Sequence, residues 1–210
     1  MGDVTSSREP ELEYIAPPDE FPGERVLLRS YQPGDGVELC AAMVESFEHL
    51  RPWMHWATET QTEAEAERRA RTNRAQWLLS SDFVIAIRTP DDRRFLGGAG
   101  YHLREGPLSS RSAEIGMWIR ASEAGKGIGS AALEAILEWG FTEWPWQRLS
   151  WRCDADNAAS RRVAAKAGLR EEGVLRRHHP TPGGEPGDTV CHAILKEEWL
   201  ARAAGRREER

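Results

Sequence analysis

The densest chemical pattern in the chain runs from Glu114-Ile-Gly-Met-Trp-Ile119, through a short polar connection, to Ala124-Gly-Lys-Gly-Ile-Gly-Ser130 and on into a helix. Gly125, Gly127 and Gly129 leave a run of backbone N–H groups free of Cβ obstruction. The helix behind them adds its own unpaired N–H groups and the positive end of its dipole. Such a loop binds a phosphate or pyrophosphate. Three nucleotide readings compete for it. A P-loop needs a hydroxyl directly after its lysine for magnesium, and Lys126 is followed by Gly127. A dinucleotide-dependent oxidoreductase places its glycines in a tight turn after the first strand, with an acidic ribose partner about 20 residues on. Here the glycines come late, and Glu143 and Asp154 lie at loose spacing. The third reading is coenzyme A, which needs a neighbouring strand and helix to hold its pantetheine arm.

That second half is present. A strand over Leu149–Ala155 runs into Asp156-Asn-Ala-Ala-Ser-Arg-Arg-Val-Ala-Ala-Lys-Ala-Gly-Leu169. Asn157 stands at a favoured helix-cap position, Ser160 and Ala164 lie one turn apart, and Gly168 suits a helix C-terminus. At these residues the chain resembles the GNAT N-acetyltransferase superfamily, and within it the RimJ/RimL-type group. The family pattern E-I-G-[YW]-W-[IL], [RQ]-x-x-G-x-[GA] and N-x-x-S-x-x-x-x-x-K-x-G-[FL] corresponds to Glu114–Leu169. Upstream, His49-Leu-Arg-Pro-Trp-Met-His-Trp56 is similar to the group's H-L-x-P-[WY]-M-x-W segment on the acceptor side. The resemblance covers about residues 25–200.

The resemblance implies a role for each matching residue. The strand at Met117, Trp118 and Ile119 would hydrogen-bond pantetheine through its backbone. Gly125, Lys126, Gly127, Ile128, Gly129 and Ser130 would hold the pyrophosphate, and Asn157 would contact the pantetheine arm. Many relatives place a tyrosine, the acid for the leaving thiolate, where this chain has Ala164; RimL-like members carry a serine one turn earlier, here Ser160. Ala124 stands where the family has Arg or Gln, with Lys126 beside it to compensate. Arg161 or Arg162 suits the 3′-phosphate.

The reaction sets one further requirement. An alkylammonium must lose its proton before it attacks a thioester, so a base must lie near the site. Glu114 is the leading candidate, with His102 and His55 as runners-up. Trp53, His55, Trp56 and His102 are expected to bound the acceptor. No covalent nucleophile is needed when amine and acyl-CoA meet in one ternary complex. His178-His179 has no third ligand at recognisable spacing, so no metal is expected.

These residues need elements to position them. Residues 1–24 carry Pro10, Pro17, Pro18 and Pro22 and read as a mobile arm. Arg25–Ser30 alternates like a strand. Asp35 is expected to cap a helix through about Ser46, and Thr60–Glu63 to open a second one, over Thr62 to Leu79, with a capping box. Strands follow at Phe83–Ile87, Phe95–Leu103 and Arg111–Ile119. A helix spans Gly127–Phe141, then come the strand at Leu149–Ala155, a helix over Asn157–Ala167 and a strand over Leu169–Leu175. Pro180–Asp188 reads as a Gly/Pro-rich loop before a last strand, Val190–Lys196. The tail from Glu197 begins as a short helix, and 201–210 is a charged tail. Helices returning between the later strands favour an α/β layered sheet of mixed direction. The resemblance sharpens this to a mostly antiparallel (α+β layered) central sheet with helices on both faces and one transferase domain over 25–200.

Composition is consistent with that reading. The 210 residues suffice for one domain and a substantial core. With 28 Lys+Arg against 34 Asp+Glu the net charge is −6, which gives no nucleic-acid footprint. Cys40, Cys153 and Cys191 are odd in number and far apart, fitting reduced thiols. No apolar run suits a bilayer span, and MGDVTSSREPELEY lacks a secretory stretch, so a cytoplasmic location is expected. Of the nine tryptophans, Trp77, Trp139, Trp146 and Trp199 are expected in the core or an interface. The expected function is N-acyl transfer from acetyl-CoA to a primary amine, either a protein N-terminus or a small molecule. Alternatives are a succinyl-CoA-dependent transferase and a non-catalytic acyl-CoA sensor. A homodimer paired through C-terminal elements is the expected assembly.

Overall fold

A computed structural model of the chain describes residues 14–181 and 184–208. The elements in order are β1 (Glu20–Pro22), β2 (Leu27–Ser30), α1 (Gly36–Leu50), α2 (Glu63–Leu78), β3 (Phe83–Arg88), β4 (Phe95–His102), β5 (Ser112–Ile119), α3 (Ile128–Thr142), β6 (Arg148–Asp154), α4 (Ala158–Lys166), β7 (Arg170–Pro180), β8 (Pro186–Leu195) and α5 (Lys196–Glu208). They form one sheet in the order β1-β2-β3-β4-β5-β6-β8-β7. Every neighbouring pair is antiparallel except β5 and β6, which run parallel. This is the mixed, mostly antiparallel sheet that the sequence led us to expect.

Alternation along the strands feeds two separate cores. Ile85 and Ile87 join α3 residues Leu133, Ile136 and Leu137 and α4 residue Ala164 in one cluster. Ala86 and Val84, between and beside them, join α1 residues Leu39, Ala42 and Met43 and α2 residues Ala66 and Ala70 in another. Successive side chains of a strand point to opposite faces, so helices cover the sheet on both sides.

Five local expectations need correction. Asp35 precedes α1 but makes no side-chain cap. Its carboxylate instead receives both guanidinium branches of Arg29 at 2.8 Å and the Gln32 N–H at 2.7 Å. The capping box of α2 is formed by Thr62 and Glu65, two residues later than Thr60–Glu63: Glu65 N–H donates to Thr62 Oγ1, and Thr62 N–H to Glu65 Oε2. Residues 14–24 of the arm are tied to the domain. β1 pairs with β2, Phe21 stacks on Trp139, and Ile15 N–H donates to Ser80 Oγ at 3.0 Å; residues 1–13 lie outside the described part. The Gly/Pro-rich stretch 180–188 is largely absorbed into the β7–β8 hairpin, and the charged tail is helical to Glu208. Among the described residues no helix is long and apolar enough to cross a membrane.

Arg29, Arg88, Asp35, Glu38 and Asp92 form a network that joins β2, β3, the start of α1 and the β3–β4 turn. Arg29 and Asp35 side chains are each 10% exposed. Burial pushes the Asp35 carboxyl up, but the bonds from Arg29 and Gln32 outweigh it, so it lies below its ordinary 3.8. Asp35→Asn strips one partner from a buried pair and is expected to cost about 3 kcal/mol at neutral pH. A group depressed on folding stabilises above its unfolded value and loses that contribution as pH falls through its folded one. The penalty of Asp35→Asn in urea denaturation therefore shrinks below about pH 4. A penalty under about 1 kcal/mol at pH 7 would show that the network does not carry this corner of the fold.

Candidate active site

The parallel pairing of β5 with β6 runs only from Ser112↔Arg148 to Ile115↔Trp151. Beyond it β5 continues to Ile119 and β6 to Asp154 without pairing, while β5 stays bonded to β4 as far as Gly97↔Ile119. The sheet therefore opens between these two strands. Gly116–Ile119 presents to the gap a row of backbone N–H and C=O groups, and these residues are half-buried where Ser112–Ile115 are buried. Such a row accepts an extended ligand that carries its own amides, as a sheet edge accepts another strand.

The glycine loop closes one end of the gap. Gly125 (φ +75°) and Gly127 (φ +80°) lie in the left-handed region, and α3 begins directly after Gly127. A Cβ on Gly129 would stand 3.5 Å from Ile119 Cγ1 and 3.8 Å from Met117 Cε, so the β5 side chains Met117 and Ile119 face the start of α3. Trp118 points to the other face and contacts Phe95 and Trp56. The Ile128 side chain is buried in the core, which leaves only its backbone to the loop. Lys126 Nζ lies 3.4 Å from Glu123, itself paired with Arg94. A residue that sequence reading missed joins them: Arg25 Nη2 donates to the Lys126 carbonyl at 3.2 Å. Its sole sequence signal was a charge at the start of the first strand. Gly127→Val forces a β-branched residue into positive φ, a strain of about 1–3 kcal/mol. It is expected to weaken acetyl-CoA binding at least about tenfold by calorimetry. Unchanged affinity would remove this loop from the site.

On the same side of the sheet, Asn157 caps α4 through Oδ1, which accepts from Ser160 N–H at 3.0 Å. Ser160 Oγ accepts from Trp151 Nε1 at 3.0 Å, which leaves its own O–H to donate elsewhere. Cys153 lies beside it, and burial pushes that thiol up. Ala164, one turn on, is fully buried. Arg161 is held by the Ala155 carbonyl and Glu171, and Arg162 is exposed.

The opposite face carries the acceptor candidates. Glu114 is buried, and its carboxylate is engaged by Arg104 and, at 3.5 Å, by Arg152. His102, its cross-strand neighbour, has Nδ1 2.8 Å from Asp82 Oδ1. Trp56 packs edge-on against Trp118 with ring centroids 5.8 Å apart, and the Arg69 guanidinium lies over Trp56. His55 meets His179 edge-on, and His179 Nε2 lies 2.9 Å from Asp154 at the end of β6. Trp53 is 37% exposed and makes no ring contact among the described residues. The structure thus brings Glu114, His102 and Trp56 to the gap and leaves Trp53 outside it. His178 and His179 share Thr189 Oγ1, each at 3.1 Å, and among the described residues no three metal-ligating side chains are gathered.

Residues 25–170 match the family described as Acetyltransferase (GNAT) domain. The uncharacterized N-acetyltransferase YnaD of Bacillus subtilis (strain 168) is 41% identical over 86 residues, 41% of this chain. That match spans half of YnaD's length. The ribosomal-protein-serine acetyltransferase of Escherichia coli (strain K12) is 37% identical over 71 residues, 34% of this chain and 39% of that one. Among solved structures, RimJ of Mycobacterium smegmatis in complex with CoA-disulfide is 29% identical, covers 87% of each chain and superposes with a TM-score of 0.74.

Proposed function

The chain belongs to the GNAT family of acyl-CoA-dependent N-acetyltransferases, and on that premise we propose that it moves an acetyl group from acetyl-CoA to the α-amine of a protein N-terminus, by direct attack in a ternary complex. The observation that carries the reading is the gap between β5 and β6, with the start of α3 at one end and Ser160 beside it. Gly116–Ile119 offers unpaired backbone groups to the two amides of pantetheine, and the left-handed glycines aim N–H groups at a pyrophosphate. Binding there aligns the arm as an added strand and so fixes the thioester along the gap. Acetyl-CoA supplies the acyl group already activated as a thioester.

The residues then divide the chemistry by face. On the α1–α2 face a base takes the ammonium proton, and the amine nitrogen forms a C–N bond to the carbonyl carbon. The C–S bond breaks, and Ser160 O–H donates to the departing sulfur from the α3–α4 face. The open approach past Trp56, 37% exposed and packed on Trp118, suits the end of a polypeptide. The similarity to the ribosomal-protein-serine acetyltransferase of E. coli supports a protein acceptor. The test is a panel of N-terminal peptides and small amines incubated with acetyl-CoA or succinyl-CoA and read by mass spectrometry. The expected product is a peptide heavier by one acetyl group at its α-amine. Transfer to small amines alone would overturn the acceptor, and transfer from succinyl-CoA alone would overturn the acyl group.

A further inference from the structure

Resting on the acyl-transfer reading above, we propose that His102, held by Asp82, is the base that takes the acceptor's proton, and that Glu114 instead holds the arginines around it. The register places His102 opposite Glu114 and Gly100 opposite Gly116, all on one face of the sheet. A Cβ added to Gly116 would stand 2.8 Å from His102 Nε2, and one added to Gly100 would stand 2.9 Å from the same atom. The imidazole therefore lies flat over two glycines, and only their lack of side chains admits it. Gly116 is the first residue of β5 past the last pair with β6, so Nε2 sits at the mouth of the gap.

The two ring nitrogens are differently engaged. Nδ1 is 2.8 Å from Asp82 Oδ1, and among the described residues no hydrogen bond is made to Nε2. With a carboxylate at Nδ1, the proton of neutral imidazole rests there and the lone pair is at Nε2, facing the gap. The side chain is 18% exposed, sheltered but reachable. The charged groups around it are Asp82 from the turn before β3, Glu114 from β5, Arg104 after β4 and Arg152 from β6. Glu114 is buried and ion-paired with the two arginines, its Oε2 without a hydrogen bond, whereas Nε2 of His102 stands directly over Gly116, the first residue of β5 beyond the pairing with β6. Across the gap, Trp151 and Ser160 lie on the opposite face. A base and a hydroxyl donor thus flank the same opening from its two sides. The ammonium proton passes to Nε2 and from there to water before the C–N bond forms; the nitrogen's second proton leaves as the C–S bond breaks and ends on the departing sulfur.

The first test needs no acceptor. Diethyl pyrocarbonate acylates an open, unprotonated imidazole nitrogen; it should modify His102 in the wild-type chain, and saturating acetyl-CoA should protect it, as read by peptide mass mapping. The kinetic test uses His102→Gln, expected to lose at least about a hundredfold in kcat and the acidic limb of the kcat profile. Its acetyl-CoA dissociation constant and melting temperature should stay near wild type. Asp82→Asn, a positioning change, should lower kcat about tenfold and move that limb with little change in KM. Modification of His102 indifferent to acetyl-CoA, or His102→Gln keeping its acidic limb while Glu114→Gln loses it, would overturn the assignment. Failure of the wild-type chain to bind acetyl-CoA would instead overturn the acyl-transfer reading on which it rests.

Discussion

Ser160→Ala is expected to lower kcat about 10²–10³-fold while leaving the acetyl-CoA dissociation constant within about twofold. Departure of a thiolate develops charge on sulfur, and a positioned hydroxyl stabilises that charge only as the C–S bond breaks. Loss of such a group acts on kcat and hardly on binding. Ser160 is the one hydroxyl on α4, and its oxygen is fixed by the Trp151 indole at 3.0 Å, which orients the remaining O–H. Ala164, one turn away, offers no substitute. Ser160→Thr keeps the hydroxyl and should recover most of the rate. Trp151→Phe removes the orienting N–H and should cost less than Ser160→Ala. The readout is steady-state release of free thiol. Wild-type kcat in Ser160→Ala would remove the serine from the chemistry.

Trp146→Ala carries the largest expected stability loss, about 4 kcal/mol. Trp77, Phe83, Tyr101, Trp139, Trp144 and Trp146 form one buried aromatic cluster. Trp144 and Trp146 stack at 5.9 Å, and Phe83 and Tyr101 lie within 6.0 Å of Trp146. Trp146 is fully buried, and its indole N–H has no partner among the described residues, so its contribution is apolar contact rather than hydrogen bonding. The cluster also bears on the site. Tyr101 precedes His102 on β4 and Trp146 leads into β6, so the aromatic pile fixes the strands that flank β5. Trp53→Ala, at a residue 37% exposed, should cost no more than about 0.5 kcal/mol. Urea unfolding of the two variants checks the contrast. Equal losses would contradict the assignment of Trp146 to the core and Trp53 to the surface.

The local parts of the site were legible because they are written in local chemistry. Gly125 and Gly127 stand where only glycine relaxes at positive φ, and Asn157 caps α4 as its position predicted. The strands around the motif were also readable from alternation. Signals with two equivalent solutions misled: Thr60–Glu63 and Thr62–Glu65 both spell a capping box, and packing selects the second. Asp35 had the type and place of a cap, but Arg29 across the turn binds it more strongly. The gap itself could not be read, because it is a failure of pairing between strands separated by a whole helix. The same holds for Arg25 at the loop and Asp82 at His102, whose partners lie 101 and 20 residues away. Gly98 and Gly100 carried no motif, and the motif gave Gly116 no steric role, yet their shared face admits Trp118 and His102.

The central claim is that the opening between β5 and β6 holds an acyl-CoA. A thermal-shift titration of the wild-type chain and Gly127→Val with acetyl-CoA, succinyl-CoA, free CoA and NAD(P)H tests it most directly, since a ligand that binds the native state raises its melting temperature with concentration. The account predicts a rise with acetyl-CoA and CoA that is displaced to higher concentration in Gly127→Val, and none with the dinucleotides. No shift with any CoA at millimolar concentration, or an equal shift with NAD(P)H, would contradict it.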